Sequence, residues 1–289
     1  MKIKEFFTSK KTTLSFEVFP PGKEDEPENF FDDISDLCRL KPQFISVTYG
    51  AGGGNRDKSL ETANRIKNGL GSEVLAHFTC VAATKDDIAA NLDAFLDKNI
   101  ENILALRGDP PAGLDKFKAA AGGFSHANEL VAFIKSLESF CIAVAGYPEG
   151  HIEAPDLQTD IVNLKRKVDA GADFVITQLF FDNDDFYRFR ERAKKAGIGV
   201  PVVAGLWPIL NYRQTERIVT LCGAKVPSSL GNRIERFRDK PEDMEKCGIE
   251  FAIRQAEDLI RNEVSGIHLY SMNRSDPMRQ ILLELPIAT

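Results

Sequence analysis

Eight short apolar runs recur along this chain at intervals of roughly thirty residues, the length of one strand–helix unit. They are LSFEV (14–18), FISVT (44–48), VLAHFT (74–79), NILALR (102–107), IAVAG (142–146), FVITQLF (174–180), PVVAG (201–205) and GIHLYS (266–271). Several are nearly continuous in apolar residues, as expected of parallel strands covered on both faces. The intervals carry helical spacing. In DLQTDIVNLKRKVDAGA, Leu157, Ile161, Leu164 and Val168 form one apolar stripe that Gly171 ends. NYRQTERIVTLCG stops in the same way at Gly223. The stretch from Pro208 to Ile267 exceeds one unit and should carry extra helices, since residues 241–262 read as a long amphipathic helix. Eight strands with intervening helices in 289 residues predict an α/β fold, a (β/α)8 TIM-type barrel, with residues 1–289 as a single barrel domain. The alternative is an open doubly wound sheet. Against it, no GxGxxG follows the first strand, and TYGAGGGNRD (48–57) has Asn55 where the last glycine would fall.

Charge and cysteine usage narrow the function classes. A net charge of -6 argues against a nucleic-acid partner. No apolar run reaches membrane-spanning length, and MKIKEFFTSKK lacks the apolar core of a signal peptide. The five cysteines include no CxxC pair, so neither a zinc site nor a disulfide framework is expected, and a cytoplasmic setting is the simplest. The four histidines form no HxxxH or HxH pair, so no metal is expected. Nothing in the sequence places a base beside Cys80, which argues against a cysteine nucleophile.

In a barrel the active site lies at the C-terminal ends of the strands. Glu17, Thr48 with Tyr49, His77, Arg107 with Asp109, Tyr147 and Gln178 fall at such ends, and Arg274 follows the last one. Glu17 is the most unexpected, an acid inside an apolar run that two prolines terminate. It is either a solvated acid on an edge strand or part of a ring of polar groups around one mouth. In ALRGDPPAG, Arg107 and Asp109 flank Gly108, which permits close backbone approach to a ligand. The other reading of this segment is a turn held by its Asp and prolines. In AGYPEGHIEA, Tyr147 and His151 could cover a planar ligand, although His151 by itself reads as a surface loop residue. Asp160, Asn163 and Lys167, with Arg166, border the apolar stripe of their helix. They are either a solvated charged face or a border where cations neutralise a pyrophosphate and Asp or Asn binds a ribose.

Together SFEVFPP, FISVTYGAGG, HFTC, LRGDPP, GYPEGHIEA, DIVNLKRKVDAGADFVITQLFFD and LYSMNR resemble bacterial methylenetetrahydrofolate reductase over nearly the whole chain. The resemblance implies a barrel holding FAD at its C-terminal mouth, with NADH or NADPH as electron donor. It implies hydride transfer from nicotinamide to flavin and then to 5,10-methylenetetrahydrofolate, giving 5-methyltetrahydrofolate. Because the chain ends after the barrel, it looks like the short form without a regulatory domain. A homo-oligomer is expected, with small-molecule partners only. Residue by residue, Glu17 corresponds to the general acid, and Asp109 to a carboxylate beside flavin and folate. Gln178, Gln214 and Arg274 correspond to substrate-binding positions, and Thr48 to a residue near the nicotinamide. Tyr49, Ala51, His77, Arg107, Gly108, Tyr147, His151, Asp160, Asn163, Arg166 and Lys167 correspond to flavin contacts, as does Ala127. The segment between Pro111 and Glu129 departs from the family pattern, with His126 where an aromatic is common. Trp207 stands where an aliphatic residue is expected beside the mouth, with consequences for how nicotinamide or folate stacks.

The chemistry assigns the two carboxyls opposed tasks. The one-carbon unit accepts hydride once its ring opens to a 5-iminium cation, and opening needs a proton on N10. Glu17 is expected to supply it if burial keeps its carboxyl protonated. Asp109, as an anion, would stabilise the cation and lower the flavin potential. Alternating use of one flavin face by nicotinamide and folate would give ping-pong kinetics. Two other functions fit a barrel of this kind. One is a folate-dependent methyltransferase, which needs no flavin. The other is a non-catalytic flavin- or folate-binding subunit, against which the presence of both Glu17 and Asp109 argues.

Overall fold

The computed structural model describes residues 1–9, 11–22, 27–49, 56–109 and 117–287. Its strands are β1 (Thr13–Val18), β2 (Phe44–Val47), β3 (Val74–Thr79), β4 (Asn102–Leu106), β5 (Cys141–Gly146), β6 (Phe174–Thr177), β7 (Val202–Leu206) and β8 (Gly266–Tyr270). They close in sequence order into a parallel barrel, with β1 pairing β2 on one side and β8 on the other. This is the predicted (β/α)8 architecture and excludes the open sheet. Between the strands run α1 (Pro27–Arg39), α2 (Arg56–Asn64), α3 (Lys85–Leu96), α4 (Ala127–Ser136), α5 (Leu157–Asp169) and α6 (Asn183–Lys195). The long interval after β7 holds α7 (Tyr212–Cys222), α8 (Ser228–Arg236) and α9 (Pro241–Arg261), and α10 (Ser275–Glu284) follows β8. Gly223 ends α7 in the left-handed region at φ 67°.

One strand, β6, is much shorter than its apolar run. FVITQLF leaves the sheet at Thr177, yet Leu179 and Phe180 remain buried because helices cover them. An apolar run marks burial, and burial outlasts the ladder here.

Alternation along each strand sorts side chains into two layers. Leu14, Phe16 and Val18 face outward and join the main core between barrel and helices. Phe44, Leu75, Leu104, Phe174 and Val203 face inward and fill the barrel's lower interior, together with Ile3 of a 3₁₀ turn (Ile3–Thr8). That turn closes the N-terminal end: Ile3 N–H donates to Asn102 Oδ1 at 2.8 Å, and the Phe7 ring lies 5.1 Å from that of Phe174. Toward the C-terminal end the inward positions of β1, β2 and β3 are polar, at Glu17, Ser46 and His77. The barrel is therefore plugged at one end and chemically equipped at the other.

Candidate active site

Glu17 lies on the inward parity of β1, and β1 is paired on both sides, so it is no edge-strand acid. It is 8% exposed. Its Oε2 lies 3.4 Å from His77 Nε2 and 3.6 Å from His268 Nε2. Burial pulls the His77 imidazole below its ordinary pKa; Glu17 opposes that shift and His268 adds to it. Neutral His77 is the consequence. The sequence reading missed His268, Ser15 and Ser46. The signal was present as parity, since Ser15 and Glu17 share one face of β1, and His268 and Tyr270 one face of β8.

A second group lines one open cavity of about 480 Å3 at the same end of the barrel, formed between the ends of β4 and β5 and helix α5. Arg107, Ala127, Tyr147, His151, Asp160, Asn163, Arg166 and Lys167 all border it. The helix residues reach it because Asp160, Asn163 and Lys167 recur at helical spacing. Asp156 caps the helix by accepting from Thr159 N–H at 2.6 Å. Lys167 Nζ donates to Ala145 O at 2.5 Å and lies 5.7 Å from the Tyr147 ring centre. Burial lowers its pKa to about 8, against the pull of Asp160. Burial also raises the Asp160 carboxyl, which Lys167 opposes. Tyr147 and His151 meet edge to face at 4.7 Å. The Arg107 guanidinium is held by Glu153 through two bonds of 2.6 and 2.7 Å, a partner the sequence reading did not include. The cavity thus offers cations on one wall, aromatic faces on another and a buried acid. That donor set fits a dinucleotide with an anionic centre and a planar ring.

Gly108 joins the two groups. It has φ +89°, and a Cβ there would lie 3.1 Å from Thr79 Cβ and 3.2 Å from Val81 Cβ, so no other residue fits without strain. Asp109 follows it and is exposed. Glu17 near the end of β1 and Asp109 just after β4 both stand at C-terminal strand ends, so both carboxyls lie toward the same mouth.

The remaining predicted positions stand apart from the cavity lining. Thr48 and Tyr49 follow β2, with Thr48 O accepting from Ser59 Oγ at 2.9 Å. Gln178 turns back on its own segment, its Oε1 accepting from Leu179 N–H at 2.9 Å. Gln214 is exposed in the first turn of α7. Arg274 is paired with Glu245 at 2.5 and 3.1 Å. Ala51 lies outside the described residues, as does part of the segment between Pro111 and Glu129. Trp207 corrects an expectation. It is 5% exposed, 5.9 Å from the Tyr270 ring, with its Nε1–H donating to Thr215 Oγ1 at 3.4 Å. Its indole fills a core beneath the β7 loop, so it offers no stacking face to a ligand.

Comparison with known proteins decides the lineage. The family model Methylenetetrahydrofolate reductase matches residues 2–286. The chain belongs to the methylenetetrahydrofolate reductase family. It is 37% identical over 263 residues to the 5,10-methylenetetrahydrofolate reductase of Escherichia coli (strain K12), covering 91% of this chain and 87% of that protein. It is 40% identical over 295 residues to Methylenetetrahydrofolate reductase (NADH) 1 of Arabidopsis thaliana, covering 98% of this chain and 50% of the plant protein. The chain thus spans about half the length of the plant relatives it matches. In fold it is similar to an uncharacterized protein from Clostridium thermocellum described as binding two copies of 5-methyl-5,6,7,8-tetrahydrofolic acid. The TM-score is 0.69 at 15% identity, over 97% of this chain and 96% of that one. Among the described residues no helix is long and apolar enough to cross a membrane.

Proposed function

We propose that this chain reduces 5,10-methylenetetrahydrofolate to 5-methyltetrahydrofolate, with FAD as bound cofactor and NADH or NADPH as electron donor. The observation that carries this reading is a division of labour at one barrel mouth. A cavity suited to a dinucleotide lies toward the same mouth as a buried carboxyl flanked by two imidazoles. When bound, FAD supplies the hydride relay between nicotinamide and folate.

The chain's own residues then have separable tasks. Arg166 and Lys167 would hold the pyrophosphate, with Arg107 joining them if Glu153 yields. Asp160 and Asn163 would accept and donate to ribose hydroxyls. Tyr147 and His151 would pack on the cofactor. Glu17 delivers a proton to N10 of the folate, opening the five-membered ring to the 5-iminium cation. Asp109 presents its anion to that cation.

An anaerobic titration tests the whole reading. Purified protein should be yellow, or become so with added FAD. NADH should bleach it, and methylenetetrahydrofolate should restore the colour. A folded protein that neither holds nor acquires FAD would sink the proposal.

A further inference from the structure

The ion pair of Arg107 and Glu153 belongs to the lining of the dinucleotide cavity. Arg107 Nη1–H donates to Glu153 Oε2 at 2.6 Å and Nη2–H to Oε1 at 2.7 Å. This forked edge of a guanidinium is the one that grips a carboxylate or a phosphate through two parallel bonds, and it grips one anion at a time. The group in the cavity best shaped to hold a phosphate therefore already holds a carboxylate of the chain itself.

The two partners are anchored differently. Arg107 has support besides Glu153: its Nε–H donates to Gly108 O at 3.2 Å, and its guanidinium carbon lies 5.0 Å from the centre of the Phe117 ring. Its side chain is 22% exposed, against 51% for that of Glu153. The loop that carries Glu153 is fixed by bonds in which the Glu153 carboxylate takes no part. Arg192 Nη2–H donates to Pro148 O at 2.8 Å, and Lys225 N–H donates to the Glu149 carboxylate at 3.1 and 3.2 Å. Ala154 N–H donates to His151 O at 2.9 Å. Glu153 N–H donates to His151 Nδ1 at 3.1 Å, so the ring keeps this partner when the carboxylate turns away. Asp160, the other acid lining the cavity, is buried and has no such route to water.

An ion pair this open to solvent contributes little, at most about fivefold in an equilibrium constant. A pyrophosphate offers the same fork a matching pair of oxygens and brings two negative charges where the carboxylate has one. We infer that Glu153 is a displaceable counter-ion: it fills the Arg107 fork until a phosphate of the dinucleotide arrives, then cedes the fork and turns to solvent. Glu153 thereby lowers the affinity of the cavity for phosphate-bearing ligands. The inference rests on the proposed function, which puts FAD in this cavity.

Calorimetric titration of the cofactor-free protein with inorganic pyrophosphate and with FAD tests the exchange. Glu153→Gln keeps the size of the side chain and removes its charge. Both ligands should bind this variant about threefold to fivefold more tightly than wild type. Riboflavin, which carries no phosphate, should gain nothing. Unchanged or weaker binding of the phosphate ligands would make Glu153 a fixed support for Arg107, and an equal gain for riboflavin would mean a loosened loop; either overturns the inference. A crystal structure of the wild-type protein loaded with FAD decides without any variant. The Glu153 carboxylate should stand apart from the guanidinium, and a fork still closed on Glu153 beside bound FAD overturns the exchange while leaving the proposed function intact. Failure of the wild type to bind FAD would count against the proposed function, and the pyrophosphate titrations of the two proteins would still decide the role of Glu153.

Discussion

At the scale of single residues, Glu17 shows how much a strand's parity can decide. The alternation Leu14–Phe16–Val18 against Ser15–Glu17 placed the acid on one of two faces, but nothing local said which face lay inside a closed barrel. Closure answers that, and two imidazoles supply the environment. Glu17→Gln keeps the shape and deletes the transferable proton. The folate half-reaction should then fall by roughly a hundredfold or more, the scale of losing a positioned acid, while nicotinamide oxidation falls far less. Stopped-flow absorbance resolves the two halves, and a folate rate within a few-fold of wild type would remove Glu17 from the acid role. Asp109 makes a second, electrostatic prediction. Asp109→Asn removes one anion near the cofactor site, which should raise the flavin potential by about 20–30 mV, the equivalent of about 1 kcal/mol for a two-electron couple. Spectroelectrochemical titration reads this directly, and a lowered potential would contradict the role.

At the scale of elements, α5 carries the clearest lesson in what sequence conveys. Its apolar stripe and its terminating glycine were legible, and so was the second stripe of Asp160, Asn163 and Lys167. What could not be read was whether that polar stripe met water or a neighbour, because the answer belongs to the loops after β4 and β5. The structure turns it onto a cavity and partly buries Lys167, with a measurable consequence. The amine, with its pKa lowered to about 8 chiefly by burial, loses its charge as pH rises through that value in the cofactor-free protein. A pyrophosphate favours the charged form, so FAD affinity should be greatest below about pH 8 and decline above it. Lys167→Met should bind more weakly throughout and lose that decline. Replacing Arg166 and Lys167 together with Ala should weaken retention further, most visibly at high salt. Flavin fluorescence titrations across this range are the check; wild-type affinity that rises with pH would exclude Lys167 from the pyrophosphate site.

At the scale of the whole molecule, the barrel was legible because its cause is repetitive: eight apolar runs at one spacing allow few closures. The polar mouth was partly legible for the same reason, since strand ends are where loops begin. The partners Glu153, Glu245 and His268 were not, because each meets its residue across 29 or more positions of chain. The closed end was also missed, since MKIKEFFTSKK has neither strand nor helix periodicity. Its turn is held by Asn102, which is fully buried, accepts from Ile3 N–H, and donates to Met1 O at 3.1 Å and to Glu73 Oε1 at 3.0 Å. Ile3 is fully buried beneath Phe44 and Phe174. Ile3→Ala would leave a void under a ring of packed side chains that the strands hold in place and that cannot easily collapse. The expected loss is about 2–5 kcal/mol of stability. Because the plug and the mouth are opposite ends of the same strands, the loss should appear in urea denaturation midpoints while FAD affinity of the folded protein stays near wild type. An unchanged midpoint would show that the turn does not seal the barrel; a matching loss of flavin affinity would show that the two ends are coupled through the strands rather than independent.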